Sequence, residues 1–414
     1  VKVAVSAAPY SIDKPYDYLV PRSLTETAVP GVRVTVPFGR GNRTSEGIVL
    51  ARTQGEKGPR LKPLLSVLDR APVLDSDGIA LALWLRQRYF CTLFEAVKTI
   101  LPAGLWYQIR EIWHLAEGLD RYAADGKAAG IRRAVPVLDA LFAAGGTAEL
   151  SDLEAACGPG TGAVLRALQK AGVTVCETAA RRKAGDKQRR MVELAVSAEE
   201  ALALTEKRSS PQRREAVRLL AAEGRMSAAE VCYYTGISMA SLRGLEKAGI
   251  VAFSEEEELR LPDLNQVEPA GPIVLNEEQE AAFQSILDLT RTGRPEAVLL
   301  QGVTGSGKTQ VYLRLVQEIL NQGRRAMVLV PEIVLTPQMM RRFAACFGDQ
   351  VALLHSALRM TERYDQWKRI RRGEVQVVLG TRSAVFAPLK NVGLIVLDEE
   401  QESSYQSENP PRYH

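Results

Sequence analysis

The chain has 414 residues, of which 46% are hydrophobic and 25% charged, and a formal net charge of +4. That length is enough for about three domains, no apolar run approaches the roughly 18 residues a membrane helix needs, and the opening VKVAVSAAPYSIDKPYDYLVP alternates like a strand without the apolar centre of an export signal. In five scattered cysteines neither a disulfide framework nor a paired-cysteine zinc site is readable, so a reduced cytoplasm is the expected compartment, and the slight positive charge permits an acidic partner without establishing one.

In chain order, residues 1 to 106 read as a small barrel or sandwich closed by a helix. VRVTVPFG, SEGIVLAR and LKPLLSVLD are short β-rich runs between Gly, Pro and Asn turn signals, and SDGIALALWLRQRYF carries a helical apolar face. From 107 to 265 the composition turns to Ala- and Leu-rich helices containing an internal repeat, about 130–178 and 212–256. Each copy runs helix, Gly turn, short helix, turn, helix, KAG and a β-rich run, which is a helix-turn-helix with a wing. DNA contact is the expected role, with packing or protein contact as the alternative. Between the copies, ARRKAGDKQRR (180–190) reads as a basic exposed loop, and SEEEE with LPDLNQVEPAGP reads as a linker near 254–272.

From 272 to 414, AVLLQG, RAMVLVP, VALLH, VQVVLGT and GLIVLDE alternate with helical stretches, which predicts a mostly parallel sheet covered on both faces. GVTGSGKT fits the phosphate-binding loop between an apolar strand and a helix. Gly302, Thr304, Gly305, Ser306 and Gly307 would curl the backbone so that its N–H groups face phosphate oxygens at a helix N-terminus. Lys308 is expected on the β and γ phosphates of ATP, and Thr309 on Mg²⁺. LIVLDEE ends a buried strand in Asp398, placed to hold Mg²⁺ through water, and Glu399, placed to orient and deprotonate the attacking water. Gln401 stands where a relative of this motif usually carries His. His355 has no second His or Cys partner, so a metal role is not expected.

Together LLQGVTGSGKTQVY, LVPEIVLTPQM, LLHSAL, VVLGTRSAVFAPLKNVGLIVLDEE and PPRYH resemble the first RecA-like motor lobe of the bacterial replication-restart helicases, a family of superfamily 2 DNA helicases. PYDYLVP, VRVTVPFG and LKPLLSVLD are similar to that family's domain for the 3′ end of a nascent strand. The fold class is then multidomain α/β: a β-rich 3′-end DNA-binding domain, a winged-helix region of two repeats, and a RecA-like lobe. The resemblance implies that Tyr16, Asp17 and Tyr18, with Gly39 and Lys62 nearby, meet the terminal nucleotide. It implies that Gln279 reads the adenine edge, and that Thr381 and Arg382 contact DNA phosphates. The segment ESSYQSENPPRYH would couple single-strand contact to ATP hydrolysis, with Tyr405 and Tyr413 as stacking platforms and Arg412 on a phosphate.

The implied activity is an ATP- and Mg²⁺-dependent 3′ to 5′ helicase that recognises stalled or repaired forks and initiates primosome assembly. Branched forks, 3′ ends, single-stranded DNA, single-strand-binding protein and primosome proteins would be its partners, in a bacterial, nucleoid-associated cytoplasm. The family also carries a second motor lobe and a zinc module, neither of which is read in this chain, so the isolated chain is expected to hydrolyse ATP poorly and not to unwind. A non-enzymatic fork-binding platform that recruits replication factors is the alternative.

Overall fold

A computed structural model describes residues 1–39, 42–54, 61–182, 188–206, 210–260, 270–303, 305–332 and 334–414. Strands β1 (Lys2–Val5), β2 (Tyr16–Asp17), β3 (Arg33–Phe38), β4 (Arg43–Ala51) and β5 (Ser66–Val67) form one sheet in the order β2-β1-β4-β3-β5. A parallel bridge between Leu19 and Pro63 joins the segment after β2 to the one before β5, so the sheet curls into a closed barrel. LKPLLSVLD supplies only the two residues of β5; Pro63 has no N–H to donate, and its neighbours make the bridge instead, the Leu19 N–H donating to the Lys62 carbonyl and the Leu64 N–H to the Leu19 carbonyl. Helix α1 (Ser76–Arg88) is capped by Asp75, and α2 (Leu93–Ile100) by a reciprocal Thr92–Glu95 box. Arg33 is fully buried, with its backbone N–H and Nε both donating to Asp69 at 2.9 Å and its guanidinium over the Trp106 ring.

The next region carries the same order of elements twice. The first copy is β6 (Tyr107–Leu115), α3 (Arg121–Lys127), α4 (Ala134–Ala143), β7 (Thr147–Glu149), α5 (Leu150–Cys157), α6 (Thr161–Lys170) and β8 (Thr174–Arg182). The second is β9 (Gln188–Leu194), α7 (Ala198–Glu206), α8 (Pro211–Glu223), β10 (Met226–Ser227), α9 (Ala228–Thr235), α10 (Met239–Lys247) and β11 (Val251–Glu257). Each copy therefore begins a strand and a helix earlier than the sequence repeat. Its KAG glycine closes the helix: Gly172 and Gly249 take φ of +69° and +71°, and the next residue bonds back to Leu168 or Leu245.

Two expectations are corrected here. SEEEE is not a linker at 254–257 but half of a wing: Glu255 and Glu256 lie opposite Arg190 and Arg189 in the β9–β11 ladder, so opposite charges pair across strands. The basic stretch 180–190 is accordingly strand at both ends, while 183–187 lie outside the described residues, as do 261–269 of the expected linker. Residues 185–265, containing the second copy, form a compact unit separate from the rest of the chain.

The C-terminal region contains α11 (Glu277–Thr290), α12 (Lys308–Asn321), β12 (Arg325–Leu329), α13 (Pro337–Phe347), β13 (Val351–Leu354), α14 (Met360–Arg372), β14 (Val377–Gly380) and β15 (Val392–Leu397). Its four strands pair in parallel in the order β13-β14-β12-β15. The expected strand AVLLQG is not formed: residues 297–302 have no ladder, Leu299 is 72% exposed, and on β15 Ile395 and Leu397 are half-exposed. An apolar run fixes strand propensity, but a strand exists only where a partner's N–H and C=O groups meet it.

Candidate nucleotide and nucleic-acid site

The phosphate-loop residues converge at the start of α12. Gly305 and Gly307 adopt φ of +83° and +82°, and Gly307 is the N-cap of α12. A Cβ at Gly307 would collide with Gln279 Nε2, and one at Gly302 would lie 2.6 Å from Ser306 Oγ, so a side chain at either position would have to push these groups aside. Gln279 is itself fixed at the first turn of α11 by reciprocal bonds with Asn276, and its Nε2 donates to the Ser306 carbonyl at 2.9 Å. Its amide therefore ties α11 to the loop. Lys308 Nζ donates to the carbonyls of Gly302, at 2.7 Å, and Val303. Thr304 lies outside the described residues.

The expected metal-side residues are joined by one that sequence reasoning missed. Tyr312, one turn into α12, has its hydroxyl 3.3 Å from Thr309 Oγ1 and 3.2 Å from Asp398 Oδ2. Its spacing from Thr309 on the helix was the available signal. Burial pushes the Asp398 carboxyl above the usual carboxylate range, with Glu399 adding to the rise and the Tyr312 hydroxyl and Lys308 opposing it. A half-buried carboxylate that is costly to charge, beside a hydroxyl and a helix N-terminus, is a donor set that suits a divalent cation and phosphate oxygens. Glu399 sits in the left-handed region at φ +47°, and Gln401 Nε2 donates to its Oε2 at 2.7 Å. The glutamine braces Glu399 rather than leaving the motif empty.

At the other side of the strand ends lies a groove of about 840 Å³. Pro331 and Glu332 after β12, Ser356 after β13, Thr381–Ser383 after β14, and Ser403–Asn409 with Arg412 all line it, and Arg363 joins them from α14. Segments separate in sequence meet because parallel strands deliver all their C-terminal ends to one edge. Arg363 Nη2 donates to the carbonyls of His355 and Ser356, which fixes its guanidinium at the wall. His355 has its pKa lowered, by burial first and by Arg363 second. Arg382 Nη1 donates to the carbonyls of Ser404 and Gln406 and holds the wall in shape.

Two expected stacking platforms are corrected. Tyr405 is 4% exposed, and its hydroxyl bonds to the carbonyls of Leu329 (2.9 Å) and Asp398 (2.7 Å), so it links the groove to the strand end of the nucleotide site. Burial raises its pKa beyond the ordinary phenol value. Tyr413 is 8% exposed and packs edge-to-face on Phe386 with ring centres 4.9 Å apart. Both rings fill core space that an open platform would leave free.

In the N-terminal barrel, Tyr16 packs on Phe38 at 5.0 Å, Lys62 Nζ donates to the Gly39 carbonyl at 2.9 Å, and Tyr18 donates to the Pro37 carbonyl at 3.2 Å. Four of the five expected residues thus gather around the end of β3. Tyr18 is a core residue, its pKa pushed up to about 12 by burial, and is corrected as a nucleotide contact. Asp17 faces away from both tyrosines, as strand alternation requires, and pairs with Lys2 at 3.1 Å.

Comparison with known proteins gives two family matches: residues 2–102 match a 3′ DNA-binding domain (3′BD), and residues 276–412 match the DEAD/DEAH box helicase domain. The chain is 35% identical to the Replication restart protein PriA of Bacillus subtilis, over 100% of the chain and 50% of that protein. It is 30% identical to the protein of the same name from Chlamydia pneumoniae, over 98% of the chain and 44% of that protein. To the one from Synechocystis it is 44% identical, over 46% of the chain and 23% of that protein. The chain thus spans about half the length of the relatives it matches end to end. No helix among the described residues is long and apolar enough to cross a membrane, and they hold no cluster of metal-ligating side chains of zinc type.

Proposed function

The chain belongs to the PriA family of replication restart proteins, and from that premise we propose that it is the end-recognising and first motor part of an ATP-dependent DNA helicase working 3′ to 5′ on stalled or repaired forks. Single-stranded DNA runs in the groove, and a free 3′ end is held at the barrel by Tyr16, Lys62 and the Gly39 turn, with Asp17 at its margin. Thr381, Arg382 and Arg412 contact phosphates. Lys308, Thr309 and Asp398 would hold ATP and Mg²⁺, which supply the phosphoryl chemistry when bound, and Glu399, held by Gln401, accepts a proton from water. Single-strand-binding protein and primosome proteins are the further partners proposed.

The observation that carries this reading is the convergence of four strand-end segments on one groove whose wall residue Tyr405 bonds to the Asp398 carbonyl. In a protein of the relatives' full length, replacing Lys308→Ala is expected to abolish DNA-stimulated ATP hydrolysis. Retained hydrolysis would overturn the motor assignment and leave the fork-binding platform. Affinity for an oligonucleotide with a 3′ hydroxyl is expected to exceed that for its 3′-phosphate counterpart; equal affinities would remove end recognition.

A further inference from the structure

The barrel domain and the motor lobe share one hydrophobic core. Leu85, Leu93 and Phe94 of the first domain pack in a single buried cluster with Trp367, Phe386 and Tyr413 of the second. Polar contacts follow the same seam: Arg371 donates to the Pro72 carbonyl, and the Tyr89 hydroxyl lies within 3.4 Å of the backbone N–H and carbonyl of His414. A core of this kind has discrete packings and does not deform smoothly.

Tyr413 stands where this core meets the groove. Its ring sits on Phe386 within the core, while the Arg382 guanidinium lies 5.6 Å over it and also bonds to the Ser404 and Gln406 carbonyls of the groove wall. Ser407 donates to the Tyr413 carbonyl at 2.8 Å, which closes the loop on itself. A phosphate in the groove competes for Arg382 with these carbonyls and with the ring. Beyond Tyr413, Tyr89 follows the end of α1, and on that helix Arg86 donates to Asp13 at 2.9 Å. Asp13 also accepts from Leu93 N–H, and Tyr16 donates to the neighbouring Ile12 carbonyl. A continuous set of contacts therefore runs from the groove to the barrel residue proposed to meet a strand end.

We infer that Tyr413 is a positioning residue that couples the two DNA sites: single-strand occupancy of the groove shifts the Arg382–Tyr413 contact and, through Tyr89 and α1, the affinity of the barrel for a 3′ end. The inference rests on the reading of the groove as a single-strand site. Linkage makes the effect reciprocal, and a coupling of ordinary size is about fivefold or more.

The test uses the full 414-residue chain and, as probe, a short oligothymidylate blocked by a 3′ phosphate, with amide hydrogen exchange as the readout. The wild type is expected to change exchange by about fivefold both in the loop 403–407 and in the end of α1, residues 83–89. Tyr413→Leu and Tyr89→Phe are expected to keep the loop response and lose the helix response, and Tyr413→Phe, which retains the ring under Arg382, to restore it. A loop response without a helix response in the wild type overturns the coupling alone. A helix response that survives Tyr413→Leu and Tyr89→Phe also overturns it, because the probe is then reaching the barrel directly. No response in either segment overturns the single-strand reading together with the coupling. Tyr89→Phe removes one hydroxyl on the surface and keeps the test decisive if Tyr413→Leu fails to fold.

Discussion

Replacing Tyr405→Phe removes one hydroxyl and leaves the buried ring in place. That hydroxyl has a single proton shared between two carbonyls, those of Leu329 and Asp398. The Leu329 carbonyl keeps a second donor, the Asp398 N–H at 2.9 Å, so the Asp398 carbonyl bears the loss. One buried acceptor left without its donor costs about 1–3 kcal/mol, and the partial sharing places this case near 1–2 kcal/mol. Such a change is a factor of roughly 5–30 in a local opening equilibrium. Amide exchange across 394–405 is therefore expected to quicken by about that factor, and the ratio of ATP hydrolysis with and without single-stranded DNA, in a protein of the relatives' full length, to fall toward one. Exchange within about twofold of wild type, with an unchanged hydrolysis ratio, would refute the view that this hydroxyl joins the groove to the nucleotide site.

Arg33→Met removes the guanidinium from the Asp69 carboxylate, which is 2% exposed, while the backbone N–H bond to that carboxylate stays, and unfolding measurements should show a loss of about 3–5 kcal/mol. Gly307→Ala places a methyl against Gln279 at a φ of +82°, so nucleotide affinity measured by fluorescence should drop and exchange around 302–309 should rise. His355 titrates below its usual value when folded, so the unfolded state binds the proton more readily. Its stabilising contribution is complete above about pH 6.5 and is lost as pH falls through the lowered value. His355→Gln should flatten the fall in melting temperature between about pH 7 and pH 5; an unchanged slope would show that another group titrates there.

The sequence by itself determined the local chemistry. Gly305, Gly307, Lys308 and Thr309 are legible because a phosphate loop imposes glycine and cation at fixed spacing, and LIVLDEE is legible because an apolar strand ending in carboxylates is a strong local pattern. The winged repeats announced themselves through KAG, whose glycine the helix end requires. What the sequence left open is what depends on partners distant in the chain. SEEEE reads as a linker until QRR is laid across from it as a strand, and AVLLQG reads as a strand although it gains no ladder.

Only the tertiary structure decided that Tyr405 and Tyr413 are buried and that Tyr312 bridges Thr309 and Asp398. A tyrosine in a polar terminal segment carries no local mark of the carbonyl or ring that will receive it. The physical reason is one of range. Loop and cap geometry are set by interactions within a few residues, whereas burial and hydrogen-bond assignment are set by whatever the remainder of the chain brings to the same place.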